Sequence, residues 1–199
     1  MPKGFTEREK ALIRTKLLEQ GRQLFATYGI KKTSVEDLTS AAGISKGAFY
    51  LFFDSKEELF FELLEQFEAD FKANLTAGAA RSDAPPRERV RALLKEALAL
   101  WKTNALFTHF GREEYGHLLR KLPEERVAAH ARRDDISAAE LIAGWARAGV
   151  AIDREPRLVS NLMRALFLMT LHEREFDADI YPAVLDVLAD LLAGYLVAE

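Results

Sequence analysis

Apolar residues recur every three to four positions along nearly the whole chain, and the alternation that marks strands is scarce. That period predicts an all-α fold, because it keeps one face of each helix in the core. The first stripe runs Ile13, Leu17, Leu24, Phe25 and Tyr28. It opens with Thr6-x-x-Glu9, a capping box that satisfies the first free N–H groups, and it closes at Gly29, which tolerates a left-handed cap. Thr33 and Ser34 start a short helix, with Glu36 or Asp37 completing a box and Val35, Leu38 and Ala42 on the buried side. Gly43 breaks this helix. Ser45 caps the next, which spans Lys46 to about Phe53. Ser55-x-x-Glu58 opens a long helix through Leu59, Leu63, Phe67 and Phe71. Small residues, a turn signal and two prolines make 78–86 a linker. Beyond it the spacing predicts helices over 87–104, 107–121, 124–148, 155–174 and 180–197, with Pro123 and Pro156 in first turns.

The run Thr33 to Glu58 has the physics of a helix-turn-helix: one helix crossing a DNA backbone, a tight glycine turn, and a second helix entering the major groove by its N-terminal end. Ile44, Phe49 and Phe53 would lock the second helix inward, leaving Ser45, Lys46, Gly47 and Tyr50 outward. A hydroxyl at a helix start suits a phosphate, and a lysine suits a guanine edge or a phosphate. A glycine lets the backbone approach the groove, and a phenol can stack on a sugar or thymine methyl while bonding phosphate. Thr33 and Ser34 at the start of the first helix, and Lys56 at the start of the long one, complete the candidate DNA-binding set.

Here the chain resembles the TetR family of bacterial regulators. The resemblance covers roughly residues 8 to 66. It rests on Thr33-Ser34-Val35-x-Asp37-Leu38, Ala41-Ala42-Gly43-Ile44-Ser45-Lys46-Gly47, Phe49-Tyr50 and Phe53-x-Ser55-Lys56-Glu57-Glu58-Leu59. Phe52 stands where the family often has His, and Leu51 where Tyr or Trp is common, so the family's base contacts are not carried over. The resemblance implies a helix-turn-helix head over 1–54 and an effector-binding, dimerising body over 55–199. It also implies a homodimer on double-stranded operator DNA, and a small-molecule effector that spreads the two heads.

The overall charge of −3 conceals a split: residues 1–57 hold ten Lys and Arg against seven Asp and Glu, and the remainder holds 18 against 24. Screening confines each field to about 8–10 Å at cellular salt, so a basic head on an acidic body can still approach phosphate. No cysteine is present, which excludes disulfides and thiolate metal sites and makes a cytoplasmic location the expectation. The polar start of the chain carries no secretory signal, and the best apolar run, Leu158–Leu171, is short and contains Arg164, so no membrane partner is expected.

The last two helices are apolar almost all round, with only a thin polar stripe through Asp186 and Asp190 on the final one. Each must cover the core on one side and something else on the other. A two-fold, four-helix interface is expected through Leu162, Leu166, Met169, Val184, Leu188, Leu191 and Leu192. Two recognition helices about 34–36 Å apart would then meet the half-sites of a palindrome.

Trp101, Phe107, His109, Phe110, Tyr115, His117, Trp145, Met163, Phe167 and His172 are candidate walls of an effector cavity, mostly apolar with a few polar groups. On one continuous helix His109, Glu113 and His117 would share a face. Glu114-x-x-His117 mimics half of a di-iron motif whose other half is absent, so neither metal nor cofactor is expected. Nucleophile elbow and phosphate-cradling glycine loop are both missing, and Glu113-Glu114 and Asp134-Asp135 are adjacent pairs that point apart, so an enzyme is not expected. The expectation is a ligand-relieved repressor; the alternative is a helical adaptor that binds protein partners through its last helices.

Overall fold

The computed structural model describes residues 5–79 and 83–197, the side chains of 75–79 excepted. Among the described residues it has nine α-helices and no strand. They are α1 (Glu7–Lys32), α2 (Val35–Ala42), α3 (Lys46–Phe49), α4 (Lys56–Ala79), α5 (Pro86–Thr103), α6 (Arg112–Lys121), α7 (Glu124–Arg147), α8 (Pro156–Leu171) and α9 (Tyr181–Leu196). The expected linker is shorter than the sequence implied: Gly78 and Ala79 end α4, Pro86 opens α5, and 80–82 lie outside the described residues.

The chain forms two compact units, Met1–Phe67 with Asn104–Leu122, and Glu68–Thr103 with Pro123–Glu199. The division falls inside α4 rather than at residue 54, and the segment around α6 returns to the first unit.

In the first unit α1 begins with the Thr6 capping box: Glu9 N donates to Thr6 Oγ1 at 3.3 Å and Thr6 N to the Glu9 carboxylate at 2.8 Å. Its buried positions are Leu17, Gly21, Phe25, Gly29 and Ile30, whereas Tyr28 is exposed. Gly21 marks the closest approach to α4, since a Cβ there would sit 2.5 Å from Leu59 Cδ2. Gly29 takes the positive φ of +76° that its residue type allows, but it kinks α1 instead of stopping it, and the helix continues to Lys32. In α2 it is Asp37, not Glu36, that closes the box with Ser34. Gly43 then makes the left-handed turn into α3, at φ 71° and ψ 35°. Tight bonds from Leu51 N to Ala48 O and Phe52 N to Phe49 O end α3 earlier than Phe53. Phe49 is fully buried and lies 6.0 Å from the ring of Phe53.

The helix expected over 107–121 is broken. A 3-10 turn at Ala105–Phe107 precedes a turn, and α6 starts only at Arg112, where the Glu114 carboxylate accepts from Gly111 N at 3.2 Å. The break lets Phe110 stack on Phe60 at 5.0 Å and Phe107 meet Phe67 edge-on at 4.9 Å.

In the second unit α5, α7, α8 and α9 bury a core of Val90, Leu94, Leu141, Trp145, Val159 and Ala193 with their neighbours. The acidic stripe of α9 faces α5: Lys95 pairs with Asp186 at 3.1 Å, and Arg87 and Arg91 with Asp190 at 3.4 Å. Leu166, expected at an interface, belongs to this core, and Leu188 and Leu192 pack against it.

Phe49→Ala should lower the stability of the head by about 3–5 kcal/mol through a core cavity. Native-state hydrogen exchange is expected to show lost protection in α2 and α3 with α5 and α9 unchanged.

Candidate nucleic-acid interface

The turn at Gly43 and the buried Phe49 decide which way the short α3 faces. Ser45, Lys46, Gly47 and Tyr50 are all exposed, as the spacing predicts. Ser45 Oγ caps the helix by accepting from Ala48 N at 3.2 Å. A Cβ on Gly47 would meet nothing nearer than Ser45 Oγ at 4.0 Å, so this stretch of backbone is open to close approach. Tyr50 stands edge-on against Phe49 at 5.4 Å, with about half of its surface exposed. Leu51, outside the candidate set, is 69% exposed beside it. Phe49 and Phe53, four apart, occupy the inner side, so 50 and 51 must both point out; that spacing was readable.

Lys46 is paired with Glu36 across the turn. The hydrogen bond between them holds Glu36 below the ordinary carboxylate range and Lys46 above the ordinary amine range. Ser34 is partly buried and shares its hydroxyl with Asp37, accepting from Asp37 N at 3.1 Å and donating to Oδ2 at 2.7 Å. These hydrogen bonds from Ser34 lower the pKa of Asp37.

Two expected DNA contacts are structural instead. Thr33 is buried, and its hydroxyl donates to Gly29 O at 2.9 Å; the kink at Gly29 turns that carbonyl toward it. Lys56 directs its ammonium to Ile30 O and Thr33 O at 2.7 Å and to Lys31 O at 3.3 Å. It serves as the cap that the last carbonyls of α1 require.

The α6 segment also grips α1 and α4. Lys31 pairs with Glu113 and Glu114, each at 3.1 Å, and the Glu113 bond chiefly raises its pKa. His109 Nε2 lies 3.1 Å from Thr27 O, and His117 Nε2 lies 3.0 Å from Glu57. The shared face of His109, Glu113 and His117 is therefore not formed, because His109 sits in the turn before α6. The ten candidate cavity residues are divided. Phe107, His109, Phe110, Tyr115 and His117 belong to the first unit; Trp101, Trp145, Met163, Phe167 and His172 belong to the second. Trp145 is a core residue, Met163 packs against that core, and Trp101 meets Phe167 edge-on at 4.3 Å. His172 Nδ1 lies 3.0 Å from Glu175.

Glu68, His130 and Asp134 bring possible metal-ligand atoms within 4.8 Å of one another. Lys72 and Arg164 already bind the Asp134 carboxylate, at 2.8 and 3.3 Å. Burial pushes the Asp134 pKa up, but the Lys72 bond, the His130 charge and the Arg164 bond together hold it low. The cluster is a compensated ion-pair network.

The family model for bacterial regulatory proteins of the tetR family matches residues 17–63, from the middle of α1 to the first turns of α4. Residues 17–63 are thus similar to the DNA-binding region of that family. Proteins similar over this part of the chain include the HTH-type transcriptional repressor DhaR of a Mycobacterium species, 33% identical over 79 residues, which are 40% of each chain. They also include the repressor KstR2 of Rhodococcus jostii, 46% identical over 57 residues, 29% of this chain and 28% of the relative. The matched region thus spans less than half of either relative. The crystal structure of a TetR-family transcriptional regulator from Pectobacterium atrosepticum shares the fold over 98% of this chain and 99% of its own, with a TM-score of 0.73 and 23% identity.

Lys56→Met should lower head stability by about 1–3 kcal/mol, because it leaves carbonyls at the end of α1 without donors. The salt slope of DNA binding is expected to stay unchanged in this variant, whereas losing a phosphate contact would reduce it by about 1.

Proposed function

We propose that the chain is a sequence-specific DNA-binding transcriptional regulator that acts as a homodimer on a palindromic operator, with relief by a small molecule. One observation carries the reading: Ser45, Lys46, Gly47 and Tyr50 are exposed together on a short capped helix that Phe49 locks to the head. A hydroxyl, an ammonium, open backbone and a phenol on such a helix suit phosphates and base edges in a major groove. Relatives of the matched region are named repressors, which supports repression by steric blocking of a promoter.

The dimer reading draws on α8 and α9. Ile180, just before α9, and Val187, Leu191 and Tyr195 on it are exposed apolar residues spaced seven, four and four apart, and Leu158 is exposed at the start of α8. Leu162, Met169 and Val184 are partly buried in the single chain. Such spacings keep these residues on one helical face, which a second copy would cover. Leu191, at 63% exposure, has the most to gain. For the effector, Trp101, Met163, Phe167 and His172 in the second unit are the candidates that remain. An effector relieves repression only if it binds more tightly to a conformation that fits DNA poorly.

Selection from a random duplex pool should enrich an inverted repeat. Tyr50→Ala is expected to weaken binding to the enriched duplex by roughly ten- to hundredfold without lowering the melting temperature; equal loss of both would make Tyr50 structural. Sedimentation should show a dimer at micromolar concentration. Leu191→Asp is expected to convert it to the 22.4 kDa monomer, and a wild-type monomer would defeat the homodimer.

A further inference from the structure

Most polar groups around the helix-turn-helix already have a structural task. Lys56 caps α1, Thr33 is buried, and Asp37 closes the box with Ser34. Glu36 and Lys46 differ. They come from the starts of two different helices, ten residues apart in sequence, and their side chains remain 63% and 55% exposed while paired. Tyr50 follows Lys46 by four residues and is itself exposed, which places the pair beside the rest of the candidate DNA surface.

A carboxylate there is a puzzle for a surface that meets phosphates. It cancels the charge of Lys46, so the pair as a unit releases little counterion and adds little to binding that ignores sequence. Exposed ion pairs also contribute little to folding. What a neutral donor–acceptor pair does match is a base edge that shows both kinds of group. In the major groove a G·C pair offers two neighbouring acceptors, guanine N7 and O6, and then the cytosine N4 donor. An A·T pair places its donor between two acceptors, with the thymine methyl beside them. An ammonium bound to a carboxylate keeps two N–H donors, which guanine N7 and O6 can both accept while the carboxylate takes the cytosine amino group; on A·T only adenine N7 accepts from the ammonium beside the N6 donor, so one bond fewer forms.

We propose that Glu36 and Lys46 read a G·C base pair as one unit, Lys46 donating to guanine O6 and N7 while Glu36 accepts from the cytosine amino group. The assignment rests on the DNA-binding reading and adds to it a residue on α2 and the identity of one base pair in each half-site. The carboxylate has a second effect. Where the base edge presents an acceptor instead of an amino group, the carboxylate faces a group it cannot bond, so it penalises mismatched DNA.

The test is parallel selection from one random duplex pool by the full-length wild type, Glu36→Gln and Lys46→Met. Binding to non-selected random duplex is titrated against salt for each protein. The wild type is expected to enrich a G·C pair at a fixed position of each half-site, with discrimination of roughly tenfold or more. Both variants should lose preference at that position alone, with discrimination falling to near one. Glu36→Gln should also bind random duplex more tightly, with a salt slope steeper by about one charge, because Lys46 is released to phosphate. The proposal is overturned if the variants lose preference at different positions, if the shared position is A·T, or if Glu36→Gln keeps the wild-type consensus. Enrichment of an inverted repeat by the wild type with unchanged consensus in both variants would sink this assignment alone. If the wild type enriches nothing, the regulator reading falls and takes this one with it.

Discussion

The first unit depends on how the C-terminal end of α1 disposes of its carbonyls. A helix end leaves its last carbonyls without intrahelical donors, and inside a small packed unit water cannot serve them all. Gly29 kinks the chain there, and Thr33, Lys56 and the backbone of the next turn supply donors. Lys56 matters most because it is the first residue of α4 and its ammonium reaches three carbonyls of the α1 end. One side chain thus fixes the end of α1 against the start of α4, and α2 and α3 are held between these two helices in sequence. The α6 segment adds its contacts at the same place, through His109 to Thr27 and through Glu113 and Glu114 to Lys31. A recognition surface on a four-residue helix has little rigidity of its own, so it must borrow rigidity from this junction.

Much of this was legible in the sequence, and the parts that were not share a cause. Caps are local: Thr6 with Glu9, Ser34 with Asp37, Ser45 with Ala48 and the positive φ of Gly43 each involve residues within a few positions, and each is found as read. The helix-turn-helix, and the outward set of Ser45, Lys46, Gly47 and Tyr50, follow from such signals. Thr33 and Lys56 failed because their partners are carbonyls that only the kink at Gly29 presents. A hydroxyl beside Ser34 and a lysine at a helix start look the same whether they face solvent or a helix end. Likewise the single helix expected over 107–121 ignored Gly111, where Phe107 and Phe110 gain more by packing on Phe67 and Phe60 than by continuing a helical stripe. The polar stripe on α9 could have been assigned. Arg87, Arg91 and Lys95 repeat every four residues on α5, and Asp186 and Asp190 repeat every four on α9, which is the complementary pattern for two packed helices.

Those ion pairs also explain how so apolar a helix leaves an apolar face uncovered. α9 spends its only two acids on α5, and Ala189, Ala193 and Leu196 go into the core. What remains for the outside is Val187, Leu191 and Tyr195. Asp186 and Asp190 stay about half exposed while they pair with α5, so the polar edge of α9 lies on its α5 side. With the acids on that edge, the exposed face that remains is apolar, and it is the face the proposed homodimer would cover.

The same accounting applies to charge on the head. Counted by formula, residues 1–57 carry an excess of three positive charges. Lys31 and Lys56 are committed to glutamates and carbonyls within the unit, Arg14 pairs with Glu62 while lying over the Phe53 ring, and Lys46 is balanced by Glu36. Much of the basic character that first pointed to nucleic acid is thus engaged in holding the fold. Phosphate neutralisation supplies most sequence-independent affinity, and on the head Arg8, Lys16, Arg22 and Lys32 remain exposed to provide it. On the proposed function, base edges and a second copy of the head add to what phosphate contacts supply. An exposed carboxylate beside Lys46 lowers general adhesion at that point of the surface, and the proposed function uses it for discrimination, which a regulator facing a genome of competing sites requires.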